Sequence, residues 1–354
     1  MSGRAGRYAR AAARWARLLG PGGRGSEGVR VFYGHDRVPG PGEPAAGGTA
    51  KFQKLATRFP NSPRDFNVLY LGSSGLPRDL RPLLWAVRRR RAPVVVNQDG
   101  VGYPGWAGAR TDEVNVPLRR ALLAADHVLY QSEFCKRSAD EFLGEAQGTW
   151  EVLYNAVDTE RFTPPAARPV DAPVLLLGGD QTQAYRLELG LRTFAALLAR
   201  QPDAHLLITG RVVGDPEPLL TGLGLRDRVE LLGRYAQRDA PAIYGRAHLL
   251  LHTKVNDPCP NVVLEAMACG LPVVYPASGG TIELVGDDAG VGVAHPAGWE
   301  RDEPPAPEAM ADAAGRVLAD LDRFSIAART RAVERFPLGS WLDRHAELFE
   351  VLAP

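Results

Sequence analysis

Two carboxylates, Asp257 and Glu265, stand eight positions apart in the stretch NDPCPNVVLEAMACGLPVVYPASGG, residues 256–280. Asp257 lies in a Pro-rich loop and Glu265 in the short helical segment that follows, before a buried strand and a Gly-Gly turn. Pro260 suits the first turn of a helix, where a missing N–H costs nothing. Ahead of a helix N-terminus, unpaired N–H groups and the macrodipole favour an anion. A phosphate at the tip, with hydroxyls on the two acids, is the outline of a nucleotide sugar. Pro258 and Pro260 cannot donate, so the amides must come from Cys259, Asn261, Val262 or Val263. The plainer reading of Glu265 is a surface acid bonded to Asn261 one turn back. Cys259 and Cys269 read as small buried fillers rather than nucleophiles.

The elements around this stretch alternate. Short apolar runs at 29–34, 67–73, 92–98, 127–132 and 150–155 predict strands, with helices at about 50–58, 80–90, 114–124 and through 142. A Pro-rich, polar segment at 155–173 predicts a linker. The pattern then restarts, with strands at 174–179, 205–210, 228–233, 248–253 and 290–294. The last fifty residues read as helical, with Trp341, His345, Leu348 and Leu352 on one face. Continuous apolar strands between amphipathic helices imply parallel sheets covered on both faces. The expected class is α/β, with two similar Rossmann-like domains facing each other across a cleft. The divisions are a basic arm (1–28), an N-terminal domain (29–154), the linker (155–173) and a C-terminal domain (174–336). A last helix (337–354) is expected to pack back toward the N-terminal domain.

Composition narrows the classes. The chain has 354 residues, 45% of them hydrophobic and 23% charged, which is ordinary for a soluble globular protein with room for two cores. A net charge of +1 gives no overall bias toward nucleic acid. Three cysteines without zinc spacing imply a reducing, cytoplasmic setting and no metal site. The first 26 residues carry six arginines and no acid. Tyr8, Ala11, Ala12, Trp15, Leu18 and Leu19 share one side of a helix there, so peripheral contact with an anionic membrane is one reading of the arm. A frayed arm is the other. The Arg88–Arg91 run reads as cations that complement a helix C-terminus.

These halves, with NAVDTERFTP at the junction, LGLRDRVELLG and NDPCPNVVLEAMACGLPVVYPASGGTIELV, resemble the retaining glycosyltransferases of family 4, of GT-B fold. The likeness is close over 154–293, weaker over 29–150, and does not cover the arm. It implies transfer of a sugar from a nucleotide diphosphate donor, held by the C-terminal domain, to a hydroxyl acceptor: a glycan, a lipid-linked group or a small molecule. Retention, no metal and no other cofactor are implied with it, as are the first acid on the donor sugar and the second on the ribose. This chain has Asp257 where the family usually has Glu.

The resemblance places Gly178 and Gly179 at the donor, with Arg186 and Lys254 on its phosphates. Arg211 is a third cation there, and Arg234 and Tyr235 lie in the region that frames the base. Each cation has the plain alternative of a surface charge. Gly47 and Gly48 precede a helix where close backbone approach to phosphate or acceptor is implied. After the third strand, where many members carry a His, the chain reads Asn97, Gln98 and Asp99. Gln98 and Asp99 are the catalytic candidates on that side, and Asn97 a hydroxyl ligand, but an amide cannot shuttle a proton as His does. Tyr103 and Trp106 offer a stacking platform for an acceptor sugar, or simple loop packing. The missing His keeps open a second reading, a non-catalytic relative that binds a nucleotide sugar or a partner.

Overall fold

A computed structural model of the chain describes residues 28–40, 43, 48–168 and 172–353; Gly47 and the basic arm lie outside them. In the N-terminal domain, β1 (Val31–Phe32), β2 (Val68–Gly72), β3 (Val94–Gln98), β4 (His127–Tyr130) and β5 (Thr149–Val152) pair in chain order, all parallel. The helices are α1 (Gly48–Leu55), α2 (Leu80–Arg90), the short α3 (Pro104–Ala107), α4 (Thr111–Ala124) and α5 (Glu133–Phe142). The α3 turn falls inside the segment read from sequence as loop, because Pro104 supplies a helical first position.

Both faces of this sheet are buried, which is why its strands are continuously apolar. Leu69, Leu71, Val94, Val96, Val128 and Tyr130 pack under α2, α4 and α5. The alternate residues Val68, Tyr70, Val95 and Leu129 face α1 and a helix from the far end of the chain.

The C-terminal domain runs β6 (Val174–Leu177), α6 (Ala184–Leu198), β7 (His205–Thr209), α7 (Glu217–Gly222), β8 (Val229–Gly233), α8 (Ala240–Gly245) and β9 (Leu249–Leu251). It continues with α9 (Asn261–Ala268), β10 (Val273–Pro276), α10 (Thr281–Val285) and β11 (Gly290–Val293). Then come α11 (Pro307–Ala319), α12 (Leu321–Arg335) and α13 (Leu338–Leu352). The sheet is parallel, in the order β11-β10-β9-β6-β7-β8. The terminal helix α13 is the one that closes the open face of the first sheet: Trp341, Leu348 and Phe349 join Tyr33, Phe52 and Tyr70. His345 is fully buried among them, with Nε2 3.2 Å from the Tyr70 hydroxyl.

The chain therefore crosses between domains twice, and the crossings lie side by side. Val157 N–H donates to Phe336 O (2.9 Å) and Leu338 N–H to Val157 O (3.0 Å). At the start of the segment expected as a linker, Ala156 packs in the N-terminal core and Val157 and Phe162 in the C-terminal one. Further ties pin the halves. Glu283, on α10, accepts the N–H groups of Glu133 and Phe134 (both 2.8 Å), so its carboxylate caps α5 in the other domain.

Candidate active site

The second sheet changes direction at β6, which has β7 on one side and β9 on the other. In parallel sheets a ligand crevice forms beyond the carboxyl ends of the strands at such a point. Gly178 and Gly179 leave β6 there, and the segment from His252 to Asp257 leaves β9. A Cβ on Gly178 would lie 2.6 Å from Val262 Cγ2, so glycine lets the strand end close to the start of α9. Among the described residues no side chain caps α9, and its first backbone bond runs from Val263 N–H to Pro260 O (3.2 Å). The amides of Asn261 and Val262 precede that bond at the helix tip.

Asp257 sits in a buried charge cluster. Its Oδ1 is 3.2 Å from Lys254 Nζ and its Oδ2 3.4 Å from His252 Nε2. Burial alone would raise this carboxyl. Lys254, then His252 and Arg186, outweigh burial and hold it well below the usual carboxylate range. Burial pushes the His252 imidazole down, against the pull of Asp257. The loop's shape depends on the Gly-Gly turn. Gly280 N–H donates to Asp257 O (2.9 Å), and a Cβ on Gly280 would fall 1.9 Å from Pro258 O. Asn256 takes the left-handed region (φ 52°), with its N–H on Ser278 Oγ at 3.0 Å.

The opposite wall gathers polar groups from three separate segments. Lys51 comes from α1, Ser73 and Ser74 from the turn after β2, and Asp99 from the end of β3. Lys51 Nζ lies 2.7 Å from Asp99 Oδ2, and both serine hydroxyls donate to the same carboxylate. Burial works to raise Asp99, but Lys51 and the two serines outweigh it and lower the carboxyl. Between the walls lies a cavity of about 380 Å³ that touches Lys51, Asp99, Lys254, Asp257, Cys259 and Asn261. One flank of it is apolar: Val101, Val114, Leu118 and Phe134, closed by Trp299 from the C-terminal domain. Trp299 packs against Tyr103, Phe134 and Phe142 at ring separations of 5.2–5.3 Å.

Of the residues singled out by sequence, Asp257, Lys254, Cys259, Asn261, Asp99, Tyr103 and Trp106 line this cavity. Others stand elsewhere. Asn97 and Gln98 are buried behind it: Asn97 Oδ1 accepts from Gln131 (2.6 Å), and Gln98 Nε2 folds onto Gly100 O (2.6 Å). Their strand positions put both amides in the core, so Asn97, the expected hydroxyl ligand, and Gln98, the expected catalytic candidate, do not reach the cavity. Arg186 is buried, with Nη1 on Asp180 O at 2.5 Å and its charge bearing on Asp257, and it does not line this cavity. Glu265 does not pair with Asn261. Its oxygens accept from Gln237 Nε2 (2.8 Å) and Tyr244 Oη (2.9 Å), and burial raises its carboxyl. Tyr103 does not offer an open face: Trp299 covers it, and its hydroxyl donates to Asp302 (2.9 Å). Trp106 stays half exposed at the rim. Gly179 has positive φ and open space beside it. Gly48 approaches Gly75, where a Cβ would meet backbone at 3.0 Å. Arg211 and Arg234 are exposed and gather around Asp180. Tyr235 packs beside the C-terminal core.

Several site residues were missed: Lys51, Ser73, Ser74, His252 and Lys54. Lys54 spans the domains, with Nζ 2.5 Å from Ala156 O and 3.3 Å from Asn261 Oδ1. The signal available was two lysines, KFQK, on a short amphipathic helix. Asn155, also missed, donates to Gln131 Oε1 (2.9 Å) and to Cys259 O (2.8 Å), joining the two walls.

Residues 172–320 match the family model described as glycosyl transferases group 1. A D-inositol 3-phosphate glycosyltransferase of Salinispora tropica is 32% identical over 207 residues, covering 51% of this chain and 41% of that protein. A phosphatidylinositol N-acetylglucosaminyltransferase gpi3 subunit of Schizosaccharomyces pombe is 24% identical over 242 residues, 68% of this chain and 51% of the relative. The chain spans about half the length of these relatives. Among solved structures, Anabaena HepE in complex with UDP-glucose superposes with a TM-score of 0.62 at 21% identity, over 86% of this chain and 82% of that one.

Proposed function

We propose that this chain, a member of the group 1 glycosyltransferases with the GT-B fold, moves a sugar from a nucleotide diphosphate sugar to a hydroxyl acceptor. The observation that carries this is the cavity between the sheets. On one wall it joins Lys254, Asp257 and the uncapped start of α9, and on the other Lys51 and Asp99. HepE, of the same fold, binds UDP-glucose. By that analogy the diphosphate lies at the α9 tip beside Lys254, and Asp257 accepts a hydroxyl of the donor sugar.

The reaction proposed is retaining and needs no metal. The acceptor oxygen approaches the anomeric carbon from the face that the diphosphate leaves. The bond from that carbon to the phosphate oxygen breaks, its electron pair stays on the leaving phosphate, and the acceptor proton moves to that phosphate. Lys254 and the helix amides stabilise the developing charge. Asp99, fixed by Lys51 and the two serines, orients the acceptor hydroxyl. No imidazole is needed on the loop after β3 for this route.

That loop supports a second reading, a non-catalytic binder of nucleotide sugars, because Asn97 and Gln98 are buried away from the cavity. A thermal-shift screen of nucleotide sugars, followed by turnover assays on glycan, lipid and small-molecule acceptors, separates the two. A donor that raises the melting temperature and is consumed supports transfer. A donor that raises it without turnover on the whole panel supports the binder. Unchanged turnover in EDTA is expected.

A further inference from the structure

Helices α2 and α4 lie side by side on the outside of the N-terminal domain and share an open groove. Arg81, Trp85 and Arg88 face it from α2, and Val116, Arg120 and Leu123 from α4. These positions recur at helical spacing, so each helix turns one stripe outward while Leu83, Leu84 and Val87 or Leu118 and Leu122 enter the core. The outward stripe is unusual in two ways. Trp85, Val116 and Leu123 are each about half exposed, at 50%, 48% and 47%. The charge beside them has one sign: α2 contains no acid, and the acids of α4, Asp112 and Glu113, sit in its first turn, where Glu113 is held by Arg110. Arg89 stacks on Trp85, its guanidinium carbon 4.3 Å from the ring centroid.

We infer that this groove is a docking surface for an anionic phospholipid membrane. Arginines among exposed tryptophan and aliphatic side chains match a headgroup layer over hydrocarbon, since the cations meet phosphates while Trp85, Val116 and Leu123 enter the apolar boundary. Other covers fit less well. The N-terminal arm holds six arginines and no acid, so charge repels it from this groove, as it repels the same groove on a second copy. A nucleic acid would satisfy the arginines but gives Val116 and Leu123 no apolar partner. The placement also bears on the cleft, because the opposite side of α4 contributes Val114 and Leu118 to the cavity. One helix thus lies between the membrane and the apolar flank of the site. The inference stands apart from what the cleft transfers.

The test is flotation of the full chain with vesicles of phosphatidylcholine alone and of phosphatidylcholine mixed with phosphatidylglycerol. Binding only to the mixed vesicles, weakened by salt, is expected. Reversing the groove charges (R81E, R88E and R120E together) is expected to weaken it on the order of 100-fold or more. Replacing Arg7, Arg10, Arg14 and Arg17 of the arm by Ser is expected to leave most of it. A second variant, W85S with L123S, keeps the charges and is expected to bind more weakly and to lose the tryptophan quenching caused by brominated acyl chains. It decides the matter should the charge reversal unfold the protein, which its melting temperature reports. Wild-type binding by the groove variants, equal binding to neutral vesicles, or RNA binding that survives W85S and L123S would each overturn the inference.

Discussion

The two walls of the cleft carry comparable polar groups but assemble them differently. On the C-terminal wall, His252, Lys254, Asp257 and the start of α9 belong to one continuous stretch, locked by the Gly279–Gly280 turn. On the N-terminal wall, Lys51, Ser73, Ser74 and Asp99 come from three segments, brought together only because β1, β2 and β3 are neighbours. The first wall is a local structure that carries its own geometry. The second is a product of the sheet, and its charges hold one another. A contiguous wall suits a ligand part that is fixed, and a composite wall one that varies.

If the walls have separate tasks, damage to them should separate as well. The largest loss is expected on the C-terminal side: Lys254→Ala and Asp257→Asn should each lower kcat/KM by roughly 100- to 1,000-fold, the scale of removing one charge-stabilising group. Steady-state kinetics with donor and acceptor varied in turn would show it. Asp99→Asn on the other wall leaves the Lys51 ammonium buried with its partner uncharged, at a cost of about 3 kcal/mol in urea unfolding. Donor affinity should survive in that variant while the acceptor KM rises. Loss of donor binding there would mean that the walls are not separable.

The terminal helix that completes the N-terminal core adds a pH dependence of its own. Burial pushes His345 down to about 4 from its ordinary 6.5, against the pull of the Trp341 carbonyl. Below pH 6.5 the unfolded chain binds the proton and the folded one does not. Its contribution is therefore complete above 6.5, falls as pH drops toward 4, and levels off below, by about 3 kcal/mol in all. Urea melts at pH 7.5 and 4.5 should lose most of this slope in His345→Leu. The smallest effect expected is at the tie between domains. Glu283→Gln weakens the cap on α5 by about 1 kcal/mol and should loosen the halves without altering the chemistry, seen as faster amide exchange at Glu133 and Phe134.

The same contrast governs how much could be read from the residues alone. The strand pattern, the helix at Leu80–Arg90 and the Asp257 loop were legible because each depends on neighbours in sequence. Asp99 was legible by its place after a strand, but its partners were not. Lys51 reads as one more polar residue on an amphipathic helix until β1, β2 and β3 align. Asn97 and Gln98 misled because strand alternation near a loop does not say where the core ends; the Gln131 amide and the Gly100 carbonyl draw them inward. The sequence marks Arg186 as a phosphate cation and Glu265 as a ribose ligand, but does not show that both are buried and already hold protein partners. Burial and partner count are tertiary properties, and a lone sequence gives only the residue type.

The donor site is tested by calorimetric titration of UDP and GDP, and of their sugar conjugates, into the full chain and into Lys254→Ala. A diphosphate site at the α9 tip beside Lys254 implies saturable binding of at least one nucleotide diphosphate, weakened at least tenfold by the substitution. No binding of any of them, or binding that Lys254→Ala leaves unchanged, would contradict it.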